Sequence, residues 1–267
     1  GSGKTVLSKR FGHDLLKHLE GQRKISYSHV NCRTNPSTSQ VLQQIAKSLD
    51  SGHPERGLSS GEIIQSIRRN LMTHNNHLLL VLDEVDVLVR RDNFDLIYKL
   101  LRIDESQEGQ GSLSLILVSQ DSMLLKLFEP AIISRLGASN VLQLKPYNKK
   151  GLIEIARQRA DIACRSGSIS EEILEKIGTI ASDSGDARLA IELLDSSIRK
   201  AESAGRGEVL ISDIEQSSAR TASIEPSQVD GLSKDQKLIM LGLCRRLKKE
   251  SEINTGDAEK LYHLVCE

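Results

Sequence analysis

The run HLLLVLDEVD (77–86) constrains the fold of this 267-residue chain more than any other stretch. Five consecutive apolar residues, Leu78 to Leu82, leave no face for solvent, so the segment (77–84) reads as a central strand covered on both sides. It ends in Asp83-Glu84, which puts two carboxylates at the C-terminal edge of a sheet, where open α/β folds bind ligands. Three further runs read as strands: ISYSHVN (25–31), LSLILVSQ (113–120) and NVLQLKP (140–146). Segments with helical apolar spacing separate them, as in TVLSKRFGHDLLKHL and SGEIIQSIRRNLM. Strands alternating with helices imply crossover connections and a parallel sheet with helices on both faces, an α/β fold.

Beyond Pro146 the pattern loses its strands. Three amphipathic stretches follow in succession: NKKGLIEIARQRADIA, SEEILEKIGTIASD and DARLAIELLDSSIRKAE. They predict a helical domain over 147–222 after a nucleotide-binding base over 1–146. The stretch TASIEPSQVDGLS (221–233), poor in large apolar residues and holding Pro226 and Gly231, reads as a linker. Residues 223–267 then comprise that linker and the start of another helical unit, too short for an independent core.

The chemistry begins at GSGKT (1–5), the last part of the phosphate-loop pattern G-x-x-x-x-G-K-[ST]. The loop's leading glycine and the strand before it are expected upstream of Gly1. Backbone amides of Gly1, Ser2 and Gly3, and those of Lys4 to Leu7 through Val6 at the helix start, would face nucleotide phosphates. Lys4 supplies a point charge for the β- and γ-phosphates, and the Thr5 hydroxyl and Asp83 would hold Mg²⁺. Glu84 would orient and activate the attacking water. The expected ligand is therefore ATP with Mg²⁺.

Lys plus Arg and Asp plus Glu both count 36, so the chain has no overall basic field and any nucleic-acid contact must come from local patches. Cys32, Cys164, Cys244 and Cys266 lie far apart, which builds neither a zinc site nor a disulfide framework and leads us to expect reduced thiols in the cytoplasm. No apolar run is long enough for a membrane span.

Taken together, these stretches resemble the AAA+ ATPases and, more narrowly, the archaeal replication initiators related to the origin recognition complex and its partner loader. HVNCRT (29–34) resembles the family's second strand, followed by a helical insertion (about 33–60) where these initiators carry a DNA-contacting element. LVLDEVDVL resembles the Walker B stretch, ISRLG (133–137) a Ser-Arg-Leu segment, KPYNKKGLIEIARQRA (145–160) the lid entry, and SGDARLAIELLDSSIRKAE (184–202) the sensor-2 helix.

The resemblance implies a restraining role for Asn31 on the catalytic glutamate, and nucleotide-flanking roles for Tyr147 and Arg159. It implies that Arg188 reaches the phosphates from the lid and that Arg135 acts on a neighbouring subunit's nucleotide. Sensor 1 is usually asparagine; here LVSQD offers Gln120. The tail CRRLKKE (244–250) places Arg245, Arg246, Lys248 and Lys249 on a helix of what the family builds as a winged helix. The implied function is an ATP-dependent initiator with a slow ATPase that binds double-stranded origin DNA and supports helicase loading, with the replicative helicase and neighbouring initiator subunits as partners. The alternatives are a clamp-loader small subunit, or a DNA-binding regulator that keeps ATP without cleaving it.

Overall fold

Strand β2 (His77–Asp83) forms where the apolar run demands it, and all but its first residue are buried. The computed structural model describes residues 2–91, 94–103, 111–121, 123–137, 139–215, 232–247, 261–263 and 265. In it, β2 lies between β1 (Ile25–Asn31) and β3 (Ser112–Val118) in one parallel sheet ordered β1-β2-β3. Asn31 pairs with Asp83 and Asp83 with Val118, so the three strands end level with one another.

Alternation along β2 sorts its side chains onto two covered faces. Leu78, Leu80 and Leu82 join a core with helices α2 (Thr38–Leu49) and α3 (Ser60–Thr73), which contribute Val41, Leu42, Ile45, Ile63, Ile67 and Leu71. Leu79 and Val81, equally buried, point to the other face, where α1 (Lys4–His18) lies across all three strands. Gly12 permits that approach: a β-carbon there would stand 2.2 Å from the Tyr27 ring of β1. Helices α2 and α3 both start at capping boxes, Ser37 with Gln40 and Ser59 with Glu62, which satisfy donors that a bare helix start leaves orphaned.

After β2 come the short α4 (Asp86–Val89) and α5 (Phe94–Leu100), which adds Leu96, Ile97 and Leu100 to the same core. After β3 come α6 (Leu124–Leu127) and α7 (Pro130–Leu136).

The sheet departs from the sequence reading in one element. Residues 140–146 form no strand, and Val141 and Leu142 are 54% and 75% exposed. Their apolar content encodes an extended backbone, but a strand exists only through a ladder partner, and β3 pairs among the described residues with β2 alone. The other strand ends move by one or two residues: β2 stops at Asp83, and β3 stops at Val118 rather than at Gln120.

The chain divides at Pro146/Tyr147 into two compact units. In the second, α8 (Lys149–Ala163), α9 (Glu171–Ser182) and α10 (Ala187–Ser203) are capped by Asn148, Ser170 and Asp186. They bury Leu152, Ala156, Ile173, Ile177, Ala190 and Leu193 in a core of their own. Arg206 forks onto both oxygens of Asp213 at 2.8 and 2.9 Å, and the Leu210 amide donates to the same carboxylate, closing the turn after α10. Helix α11 (Lys234–Leu247) carries the exposed Arg245 and Arg246 in its last turn, while Lys248 and Lys249 lie outside the described residues.

Candidate functional site

Gly3 adopts φ 78°, ψ 11°, the left-handed conformation that glycine takes without steric cost, and it turns the chain directly into α1. No side chain caps this helix and no acid sits in its first turn, so its leading amides stay available to an anion. Lys4 Nζ donates to Ser2 Oγ at 2.9 Å, folding the ammonium back over the loop. Val6 and Leu7 are exposed on the same first turn, at 69% and 46%.

Thr5 points from α1 to the sheet edge, and its hydroxyl donates to Asp83 Oδ2 at 2.7 Å. Asp83 is 2% exposed, with Oδ1 accepting the Glu84 amide at 3.0 Å. A buried carboxylate touching a hydroxyl is the oxygen donor pair a hard divalent ion takes, the remaining positions being left to water and phosphate. These residues therefore fit Mg²⁺. Among the described residues no group of three or more His, Cys, Asp or Glu side chains forms a metal cage, so a cation here would be shared with a ligand.

Glu84 leaves the strand with φ 53°, a left-handed conformation that is unusual for a residue with a side chain and costs of order 1–3 kcal/mol. Its Oε2 is buried and accepts no hydrogen bond, yet Arg33 Nε stands 2.5 Å away. The charges are in contact without a well-aligned hydrogen bond between them. The partner is itself 69% exposed, which makes the ion pair weak and easily broken.

Asn31, which the family pattern would set against Glu84, has its side-chain oxygen engaged locally. Its Oδ1 accepts the amides of Arg33 and Thr34 at 2.8 and 3.3 Å and so shapes the turn after β1. Sequence reasoning placed Arg33 in the insertion and missed its contact with Glu84. It also missed His29, whose Nε2 lies 3.2 Å from Asp83 Oδ2. The neighbouring Cys32 is fully buried; burial first, and then the carboxylates of Asp83, Asp86 and Glu84, push its thiol up to about 12.

Gln120 is exposed beyond the end of β3. The residue before it, Ser119, donates to Asp86 Oδ1 at 3.0 Å and accepts the Asp121 amide at 2.9 Å, so it is the better anchored polar side chain at that strand end. Arg135 is exposed in the last turn of α7.

The second unit holds the other expected residues. Tyr147 packs against its core and donates its amide to Gly185 O, and Arg159 is exposed on α8. Arg188 is exposed in the first turn of α10, and its amide donates to the capping Asp186 at 2.7 Å. A helix N-terminus disfavours a cation, so Arg188 sits where helix stability alone would not place it.

Comparison with known proteins bears on both units. A family model described as "AAA domain" matches residues 1–128, and one described as "Cdc6 AAA+ ATPase-type lid domain" matches residues 153–219. The chain is 30% identical over 268 residues to an ORC1-type DNA replication protein of Desulfurococcus amylolyticus, covering 98% of this chain and 67% of that protein. Among solved structures it is similar to the Aeropyrum pernix ORC1 protein in complex with DNA, with TM-score 0.77 and 25% identity, over 98% of this chain and 68% of that one. It is also similar to the Aeropyrum pernix ORC2 protein in its ADPNP–ADP complexes, with TM-score 0.76 and 26% identity, over 98% and 70%. The chain spans about two thirds of the length of the curated relatives it matches.

Proposed function

The chain belongs to the AAA+ ATPases of the ORC1/Cdc6 replication-initiator type, and on that premise we propose that it binds ATP with Mg²⁺ and uses the bound nucleotide to set its grip on double-stranded origin DNA. The observation that carries this reading is the Thr5–Asp83 contact at 2.7 Å, which joins two motif halves far apart in sequence at one sheet edge. Lys4 and the open amides of α1 take the phosphates. Thr5 and Asp83 hold the ion, which when bound neutralises charge on the β- and γ-phosphates.

Glu84 orients the attacking water once it leaves Arg33. Ser119 or Gln120 supplies a polar group beside that water. The family pattern assigns Tyr147, Arg159 and Arg188 to nucleotide contact, and Arg135 to the nucleotide of a neighbouring subunit. Slow hydrolysis follows chiefly from a glutamine at the strand end where the family has asparagine, the weak Glu84–Arg33 ion pair adding at most about fivefold. DNA contact falls to the insertion, including Arg33 and Arg56, and to Arg245 and Arg246 of α11. Support of helicase loading and a cytoplasmic setting complete the proposal; Cys32, Cys164 and Cys244 are free thiols.

A regulator that keeps ATP without cleaving it is the second reading, favoured by the exposure of Gln120 and the restraint on Glu84. One set of measurements, on the protein extended to the length of its relatives, tests both. Calorimetry should show ATP·Mg²⁺ binding that Lys4→Ala removes, and duplex affinity should change between the ATP and ADP forms of wild type alone. Single-turnover hydrolysis that is present in wild type and absent in Glu84→Gln selects the initiator reading. No hydrolysis in either selects the regulator, and equal nucleotide affinity with and without Lys4 defeats both.

A further inference from the structure

Asp83 has a partner that neither motif spacing nor family pattern assigns. His29 lies on β1 two residues before Asn31, and the register sets Asn31 beside Asp83, so His29 shares the sheet face onto which Asp83 and Thr5 converge. Its Nε2 is 3.2 Å from Asp83 Oδ2, the same oxygen that accepts the Thr5 hydroxyl, and its side chain is only 13% exposed.

These contacts differ in what happens to them when an ion arrives. A hydroxyl has one proton and two lone pairs, so Thr5 can ligate a cation and still donate to Asp83 Oδ2, but its hold on that oxygen then depends on how the ion orients it. The Glu84 amide holds Oδ1 and His29 faces Oδ2, two contacts made by groups that do not themselves ligate the ion in this reading. Without His29 the carboxylate could rotate out of the plane that faces Thr5. We propose that His29 is a positioning residue for the divalent-ion site, donating Nε2–H to Asp83 Oδ2 and holding that oxygen toward Thr5 in both the empty and the occupied site. Donors of this kind set ligand orientation around metals, and their removal typically costs about 10- to 100-fold in metal affinity.

The inference rests on the nucleotide-binding reading of this site, and the test separates the two. On the length-extended protein, Mn²⁺ serves as probe ion, its binding to the protein–ADP complex followed by electron paramagnetic resonance. ADP affinity without metal and the melting temperature are measured in parallel. His29→Phe, which keeps a flat ring but has no donor, should weaken Mn²⁺ binding by about 10- to 100-fold. Metal-free ADP affinity should stay at the wild-type level. His29→Gln, which returns an N–H near the Nε2 position, should recover most of the loss.

Wild-type Mn²⁺ affinity in His29→Phe would overturn the proposal and leave the nucleotide-binding reading standing. Parallel loss of metal-free ADP binding and melting temperature, with no recovery in His29→Gln, would overturn it in favour of a purely structural histidine. A wild type whose ADP binding ignores Mn²⁺ would overturn both readings together.

Discussion

Arg33 and Glu84 show what a single residue contact can and cannot do in this site. An ion pair with one partner 69% exposed is worth at most about 1 kcal/mol, so releasing Glu84 can raise the rate of a step that needs it by no more than about fivefold. Arg33→Ala should accordingly raise ATP turnover of the length-extended protein by up to that factor. Saturating duplex should bring wild type up to the mutant if DNA phosphates compete for Arg33. Steady-state hydrolysis with and without DNA measures both, and a mutant slower than wild type would show that Arg33 aids the reaction rather than restraining it.

The Thr5–Asp83 contact was legible in the sequence because a strand edge and a motif hydroxyl dictate it. The ion pair was not, since it depends on how the turn after β1 bends, a turn shaped by the Arg33 and Thr34 amides donating to Asn31 Oδ1. His29 was hidden for a related reason. Its role depends on the register between β1 and β2, which no spacing within one segment reveals.

At the scale of elements, α1 shows two propensities in conflict. Glycine in a helix interior is unfavourable by about 1 kcal/mol relative to alanine, so Gly12→Ala should stabilise the chain if only the helix mattered. A methyl group at Gly12 would instead meet the Tyr27 ring at 2.2 Å, and forcing apart a packed interface costs about 1–3 kcal/mol. The packing term is larger, so Gly12→Ala should lower the urea midpoint, while Gly12→Ala combined with Tyr27→Ala should recover part of the loss. A raised midpoint in the single mutant would mean that α1 slides freely on the sheet.

Helix periodicity made these elements readable, and the buried run made β2 readable. The misread segment, 140–146, has the composition of a strand. Composition does not supply the neighbour a strand must pair with.

For the molecule as a whole, the balance of 36 cationic and 36 anionic side chains gives no long-range field toward DNA, so function has to be built from local geometry. The division at Pro146/Tyr147 has a consequence in time rather than in space. The first unit closes only through distant pairings, Ile25 with His77 across two intervening helices and His77 with Ser112, whereas the second packs helices that follow one another directly. Non-local pairing folds slowly and local helix packing fast. The slow unit is therefore the one synthesised first, which gives it a head start before the fast one leaves the ribosome. Pulse alkylation during refolding should report this order: Cys164, half-buried in the helical unit, gains protection early, and Cys32, fully buried under the sheet edge, gains it late. Simultaneous protection would make the two units one cooperative folding step.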